Sequence, residues 1–302
     1  GDRFMLKRLA QIAAFFCPAP INIWLHRAAG AKVDKYVSIY PGVLILAKKI
    51  EIGRGARIKF GTMINARTFK LGRKSSIGFY TLVNGESDLI VGDASIIGPR
   101  TLINCSRQVV IGYYSGIGPN SCLYTHGSGL PVTEGYRATF APIHIKDKVW
   151  ISMRSTIGPG VTIEDGAIVM PGTVLIESIA SKRMVSGNPA KLVNYPVFLL
   201  PVKPGFVENL APRILEEYRE WSNEYKGTNW QMVNGTLVTE YKKKKFTISV
   251  GGKGDIVVLT TAGEETNGMF FNLDDLKKDN SMHKAKIKFE AYIRLYYGLI
   301  FL

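Results

Sequence analysis

Residues 145–176, "IKDKVWISMRSTIGPGVTIEDGAIVMPGTVLI", carry an aliphatic side chain at Ile145, Ile151, Ile157, Ile163, Val169 and Leu175, a step of six each time. An amphipathic helix returns its apolar face at steps of three and four, and a half-buried strand at steps of two. A step of six fits neither. It fits a triangular coil in which each hexapeptide supplies one short strand and one turn. Three hexapeptides close a rung, and one aliphatic side chain per face fills the narrow interior. Repeats of this length are the signature of a parallel β-helix, with rungs stacked about 4.8 Å apart.

The period extends backward through Ile52, Ile58 and Ile64, then Leu71, Ile77 and Val83, then Val91, Ile97 and Ile103, then Ile111, Ile117 and Leu123. That gives six rungs of three. Gly follows the aliphatic residue at Gly53, Gly72, Gly78, Gly92, Gly98, Gly112, Gly118 and Gly158, and small residues such as Ser75, Ser95 and Ser115 sit four places on. The returning glycines predict turns in conformations that other residues resist. Between Leu123 and Ile145 the spacing opens to 22 residues, "LYTHGSGLPVTEGYRATFAPIH". A long excursion from a strict coil points to function. The period does not set the hand of the coil, and a left-handed wind runs against the usual preference for right-handed crossovers.

Residues 6–25, "LKRLAQIAAFFCPAPINIWL", join basic residues to a short apolar run. A secretory signal would have a longer apolar core and would lack the amphipathic continuation through Trp24, Leu25 and Arg27. The segment therefore reads as a helical pair that either packs on the body of the protein or rests on a membrane surface. No run reaches the roughly 18 consecutive apolar residues of a spanning helix. After about Val193 the period stops. Pro196, Pro201 and Pro204 mark a linker, "VENLAPRILEEYREWSNEYK" predicts a helix, and "QMVNGTLVTEY", "KFTISV" and "DIVVLTT" predict strands. The expected organisation is a helical segment over 1–30, a β-helix over 31–195 and a small α+β domain of unknown role over 205–302.

A net charge of +15 predicts anionic company: phosphate groups, acidic glycans, lipid head groups or nucleic acid. The "YKKKK" run at 241–245 reads as a solvated edge, and no nucleic-acid motif accompanies it. Cys17, Cys105 and Cys122 are odd in number and show no paired spacing. That argues for a reducing compartment and for small buried hydrophobes.

Of the four histidines, His26 and His283 are expected in surface or core roles, and His144 in packing or surface on a rung strand. His126 differs because it opens the excursion. The third aliphatic residue of the early rungs is followed by Asn65, Asn84 and Asn104, with Tyr124 at the matching place in the next rung. Asn65 and Asn84 read as corner amides satisfying backbone groups. Asn104 divides evenly between that role and one in an active site, with Ser106 expected one layer from His126.

"AGAKVDKYVSIYPGV" at 29–43, the histidine after "IGPNSCLYTH", "KDKVWISMRSTIGPGVTIEDGAIVMPGTV" and "VSGNPAKLV" at 185–193 carry a resemblance covering about two thirds of the chain. The sequence resembles the left-handed β-helix, hexapeptide-repeat acyltransferases, in the branch of galactoside, maltose, nodulation-factor, xenobiotic and surface-polysaccharide O-acetyltransferases. The resemblance implies a mainly β fold with a left-handed coil, and a homotrimer with acetyl-CoA in the cleft between neighbours. It also implies His126 as general base. A sugar hydroxyl is a poor nucleophile at neutral pH, and a neutral imidazole is suited to removing its proton. Charge growing on the thioester carbonyl oxygen calls for a donor, expected from backbone N–H groups near Trp150 to Ser152.

Cofactor contacts are implied at Trp150, Ser152, Arg154 and Met170, with phosphate contacts from Lys182, Arg183 and Lys191. Ser152 and Met170 stand where the family usually has Gly, and "IES" at 176–178 stands where it usually has "TKD". The implied function is acetyl-CoA-dependent O-acetylation of a sugar hydroxyl on a bacterial surface polysaccharide or its precursor, in the cytoplasm or at the inner face of the membrane. Alternatives are N-acetylation of an amino sugar, acetylation of an antibiotic, and a non-catalytic scaffold. No metal is expected: a carbonic anhydrase of similar architecture needs three histidines on zinc, and only His126 and His144 could approach one site.

Overall fold

The structure is a computed structural model that describes residues 2–127, 129–194, 206–226, 228–241, 244–250, 256–262, 265–271, 289 and 292–293. It forms two compact units, Gly1–Phe198 and Leu199–Leu302.

The first unit is a parallel β-solenoid of about eight turns, as expected for the left-handed β-helix. Its first face stacks Val33, Ile52, Leu71, Val91, Ile111, Ile145, Ile163 and Ile179 in one column. The second face stacks Ile39, Ile58, Ile77, Ile97, Ile117, Ile151, Val169 and Val185. The third stacks Ile45, Ile64, Val83, Ile103, Leu123, Ile157 and Leu175. All three columns are buried in one core, and each such side chain contributes about 1.5–3 kcal/mol relative to exposure. The opening rung of Val33, Ile39 and Ile45 and the closing pair Ile179 and Val185 extend the six predicted rungs.

The corners use glycine differently from expectation. Gly72, Gly92 and Gly112 are not in the left-handed region. A Cβ on Gly72 would lie 2.3 Å from the carbonyl carbon of Gly92, so these glycines permit close approach of stacked backbones. A left-handed residue comes three places after the aliphatic one at most corners, but not after Ile64, Val83, Ile103 or Leu123 on the third face. It is Gly at Gly55, Gly61, Gly160 and Gly166, but Lys74, Tyr80, Arg100, Tyr114, Lys148 and Arg154 elsewhere.

The small residues four places on are buried and stitch the rungs together. Ser75 Oγ donates to the Gly92 carbonyl at 2.6 Å and accepts the Ser95 N–H at 2.9 Å. Ser95 Oγ repeats the pattern with Gly112 and Ser115, and Ser115 Oγ with Lys146 and Val149.

Two helices, α1 (Asp2–Phe16) and α2 (Ile21–Ala28), close the start of the coil. A terminal rung leaves strand groups without a neighbour. Gln11 Nε2 donates to the Ala47 carbonyl and Asn22 Nδ2 to the Ile39 carbonyl, each at 2.9 Å. Arg27 Nη2 donates to the Val33 carbonyl at 2.8 Å, and Lys7 Nζ to that of Lys48. The segment thus packs on the body through its inward face. His26 lies wholly within this packing, and burial lowers its pKa to about 4.

The second unit contains α3 (Phe206–Lys226) and a five-stranded antiparallel sheet in sequence order. Its strands are Gln231–Val233, Thr236–Tyr241, Lys244–Val250, Ile256–Ala262 and Glu265–Phe271. Ala211, Ile214, Leu215 and Tyr218 of the helix share a core with Trp230, Leu237, Ile248 and Ile256. The first hairpin turns on Asn234 and Gly235, both at positive φ as a tight primed turn requires. The proline linker, His283, Lys242 and Lys243 lie outside the described residues.

Candidate active site

The third and first faces meet at the corner from which the excursion leaves. Asn104 pairs in register with Tyr124, so the strand carries the chain from Tyr124 to Thr125 and His126 directly above Asn104. The excursion then folds back on itself. His126 and Gly127 pair antiparallel with Phe140 and Thr139, and the Ala141 N–H returns to the Thr125 carbonyl at 3.0 Å.

Asn104 Oδ1 gathers three groups: His126 Nδ1 at 2.9 Å, Thr125 Oγ1 at 2.9 Å and the Ser106 backbone N–H at 3.2 Å. A backbone N–H can only donate, which sets this atom as the amide oxygen rather than the amide nitrogen. Facing an acceptor, Nδ1 of His126 must carry the proton. The lone pair then sits on Nε2, the nitrogen directed away from Asn104. The hydroxyl of Thr125, which is wholly buried, accepts the Arg107 N–H at 3.0 Å and donates toward Asn104, so it holds the amide in turn.

The imidazole also stacks on Phe140, with ring centroids 5.5 Å apart and planes 14° from parallel. The Arg107 guanidinium lies over the same phenyl ring at 5.2 Å. His126 is half-buried, so the ring is fixed from several sides yet reachable. Thr125, Phe140 and Arg107 complete the site around the two residues read from sequence. Phe140 had a legible signal only in hindsight of pairing, since it closes the excursion that His126 opens. His144 instead faces outward, half-buried, between Val110 and Thr162 on the first face.

The remaining expected site residues lie elsewhere on the prism. Trp150 stacks in register with Ile168 and Met184 on the second face. Its ring covers Gly116 so closely that a Cβ there would be 2.3 Å from it. Ser152 and Met170 end the same face, and Arg154 occupies the following corner. Lys191 pairs with Ser186 beyond Met184, while Lys182 and Arg183 precede the face at its other end. Arg154, Lys182, Arg183 and Lys191 are exposed. The second face lies across the triangle from the corner that holds His126, so one chain does not bring these two groups together.

The expected oxyanion donors are spent. The Trp150 N–H donates to the Ala167 carbonyl at 3.0 Å and that of Ser152 to the Val169 carbonyl at 2.8 Å, both within the rung ladder. All three cysteines are free thiols, and burial pushes Cys105 up to about 11.

Residues 142–177 match the family model described as bacterial transferase hexapeptide (six repeats). A putative acetyltransferase of Schizosaccharomyces pombe is 42% identical over 50 residues, 17% of this chain and 24% of that protein. A probable macrolide acetyltransferase of Lysinibacillus sphaericus is 30% identical over 103 residues, 34% of this chain and 52% of that protein. The chain thus spans from about a quarter to about half the length of these curated relatives. Among solved structures, a hexapeptide-repeat-containing acetyltransferase of Vibrio cholerae complexed with acetyl coenzyme A is 17% identical, with a TM-score of 0.36 over 64% of this chain and 86% of that one.

Proposed function

We propose that the chain is an acetyl-CoA-dependent hexapeptide acyltransferase that acetylates a sugar hydroxyl, on a bacterial surface polysaccharide or its precursor, with His126 as general base. The observation that carries this reading is the hydrogen bond from His126 Nδ1–H to Asn104 Oδ1, which leaves Nε2 as the basic nitrogen. In the reaction Nε2 takes the proton of the acceptor hydroxyl as its oxygen attacks the thioester carbonyl carbon. The carbon–sulfur bond then breaks, and the proton passes from the imidazolium to the departing thiolate of CoA. Asn104 is the positioning residue: its amide oxygen fixes the tautomer and stabilises the charged ring while it holds the proton.

On this reading the cofactor lies along the second face of a neighbouring copy in a homotrimer. Trp150 and Met170 would flank the pantetheine arm, and Arg154, Lys182, Arg183 and Lys191 would face the phosphates. The separation of His126 from that face within one chain supports assembly from two copies. Arg107, over the same Phe140 ring that His126 stacks on, suits an acidic glycan. The reaction would draw on cytoplasmic acetyl-CoA.

The test is release of free thiol from acetyl-CoA with a panel of glycans, amino sugars and a macrolide. Turnover with a hydroxyl acceptor is expected, and His126→Ala should lower it by about 10²–10⁴-fold. Undiminished activity of that variant in a folded protein removes the mechanism. Absence of CoA binding by the wild type favours a scaffold, and turnover confined to amines replaces the hydroxyl acceptor by an amine.

A further inference from the structure

The helix α1 reverses the usual polarity of a surface helix, which turns its apolar stripe inward. Its inward positions are Gln11 and Ala14, both buried, and Lys7, whose ammonium caps the Lys48 carbonyl. Its outward positions are Met5, Leu6, Leu9, Ile12 and Phe16, from 44% exposed at Ile12 to 77% at Phe16. The packed neighbour α2 adds Ile21 and Trp24, 50% and 65% exposed. Seven large apolar side chains exposed on two packed helices are more than the singly scattered hydrophobic residues that are normal on a protein surface.

We propose that this outward face docks the protein on the surface of an anionic phospholipid bilayer. The inward polar groups already have their work in capping the first rung, so the apolar stripe is not explained by the fold. Residues 1–31 contain Arg3, Lys7, Arg8 and Arg27 against Asp2 alone, and the whole chain carries +15. Lys48 and Lys49 are exposed on the rung beneath α1. An apolar stripe with basic surroundings and an exposed Trp is the chemistry of a helix lying in the headgroup boundary. Among the described residues no helix is long and apolar enough to cross a membrane, so the contact is with its surface. A second copy is the poorer occupant, because a self-complementary contact would bring the same basic groups face to face.

The proposal is independent of the acyl-transfer reading, and its test needs no activity. The full chain is sedimented with vesicles of phosphatidylcholine alone and of phosphatidylcholine mixed with phosphatidylglycerol, beside Leu9→Glu/Ile12→Glu and Phe16→Ser variants. Sedimentation with the anionic vesicles is expected to fall about tenfold in the double variant and several-fold in Phe16→Ser, with the thermal midpoint and the mass by light scattering unchanged. Absence of wild-type binding to anionic vesicles overturns the proposal. So does binding that survives both variants, or equal binding to the two kinds of vesicle. A double variant that falls to a smaller mass overturns it in favour of a second copy.

Discussion

At the scale of single residues, the candidate site depends on which nitrogen of His126 is protonated, and Asn104 decides that. In Asn104→Ala the imidazole loses its acceptor and both tautomers become available. We expect kcat to fall about 10–100-fold with the KM for acetyl-CoA nearly unchanged, read by thiol release, because proton transfer and not cofactor binding is impaired. His26 makes a contrasting case. Neither ring nitrogen has a hydrogen-bond partner among the described residues, and its pKa is about 4 when folded against an ordinary 6.5. The unfolded chain therefore binds the proton more readily, and stability is lost as pH falls below 6.5 and levels off below 4. The loss is of the order of 3 kcal/mol. Thermal midpoints followed between pH 7 and pH 4 should drop less steeply in His26→Leu, and parallel profiles would show that this imidazole takes up its proton as readily in the fold as in the unfolded chain.

At the scale of the repeating element, the step of six was legible because the prism admits one aliphatic side chain per face, and nothing else in a protein spaces them so. The corner was less legible. Its left-handed residue is Gly in some rungs and Lys, Tyr or Arg in others, because a single αL residue costs about 1–2 kcal/mol and stacked rungs can sustain that. Lys148, exposed at φ 55°, tests this point. Lys148→Val should lower stability by about 1–2 kcal/mol, whereas Lys148→Gly should be neutral or stabilising, as read by chemical denaturation. The buried hydroxyls were visible only as "small". Ser95 donates to the Gly112 carbonyl and accepts the Ser115 N–H. Ser95→Ala fits sterically but strands both groups, so a loss of about 2–3 kcal/mol is expected, against little change for a serine on the surface.

At the scale of the whole molecule, sequence reading reached the coil, His126 and its partner Asn104, but not Thr125, Arg107 and Phe140 around that ring. Phe140 comes to His126 through the antiparallel return of an excursion whose path no period describes. In the second unit the helix and four of the five strands lay in segments legible from their apolar pattern, although Gln231–Val233 and Thr236–Tyr241 were read as one strand. The strand Glu265–Phe271 was not, since "ETNGMFF" opens with polar residues and a glycine. What a single chain lacks is also informative: His126 and Trp150 belong to opposite sides of one prism. If the site combines the base of one copy with the cofactor face of its neighbour, His126→Ala and Trp150→Ala chains are each inactive alone but complement when refolded together. In a random equal mixture a site is intact only when the base comes from a Trp150→Ala chain and the face from a His126→Ala chain. About a quarter of the sites meet that condition in a closed ring of subunits. Thiol release near that fraction of the wild-type rate is expected from the mixture. A rate no higher than that of the separate variants would mean that each chain builds its site alone, and the cofactor would then have to reach His126 by a route other than the second face.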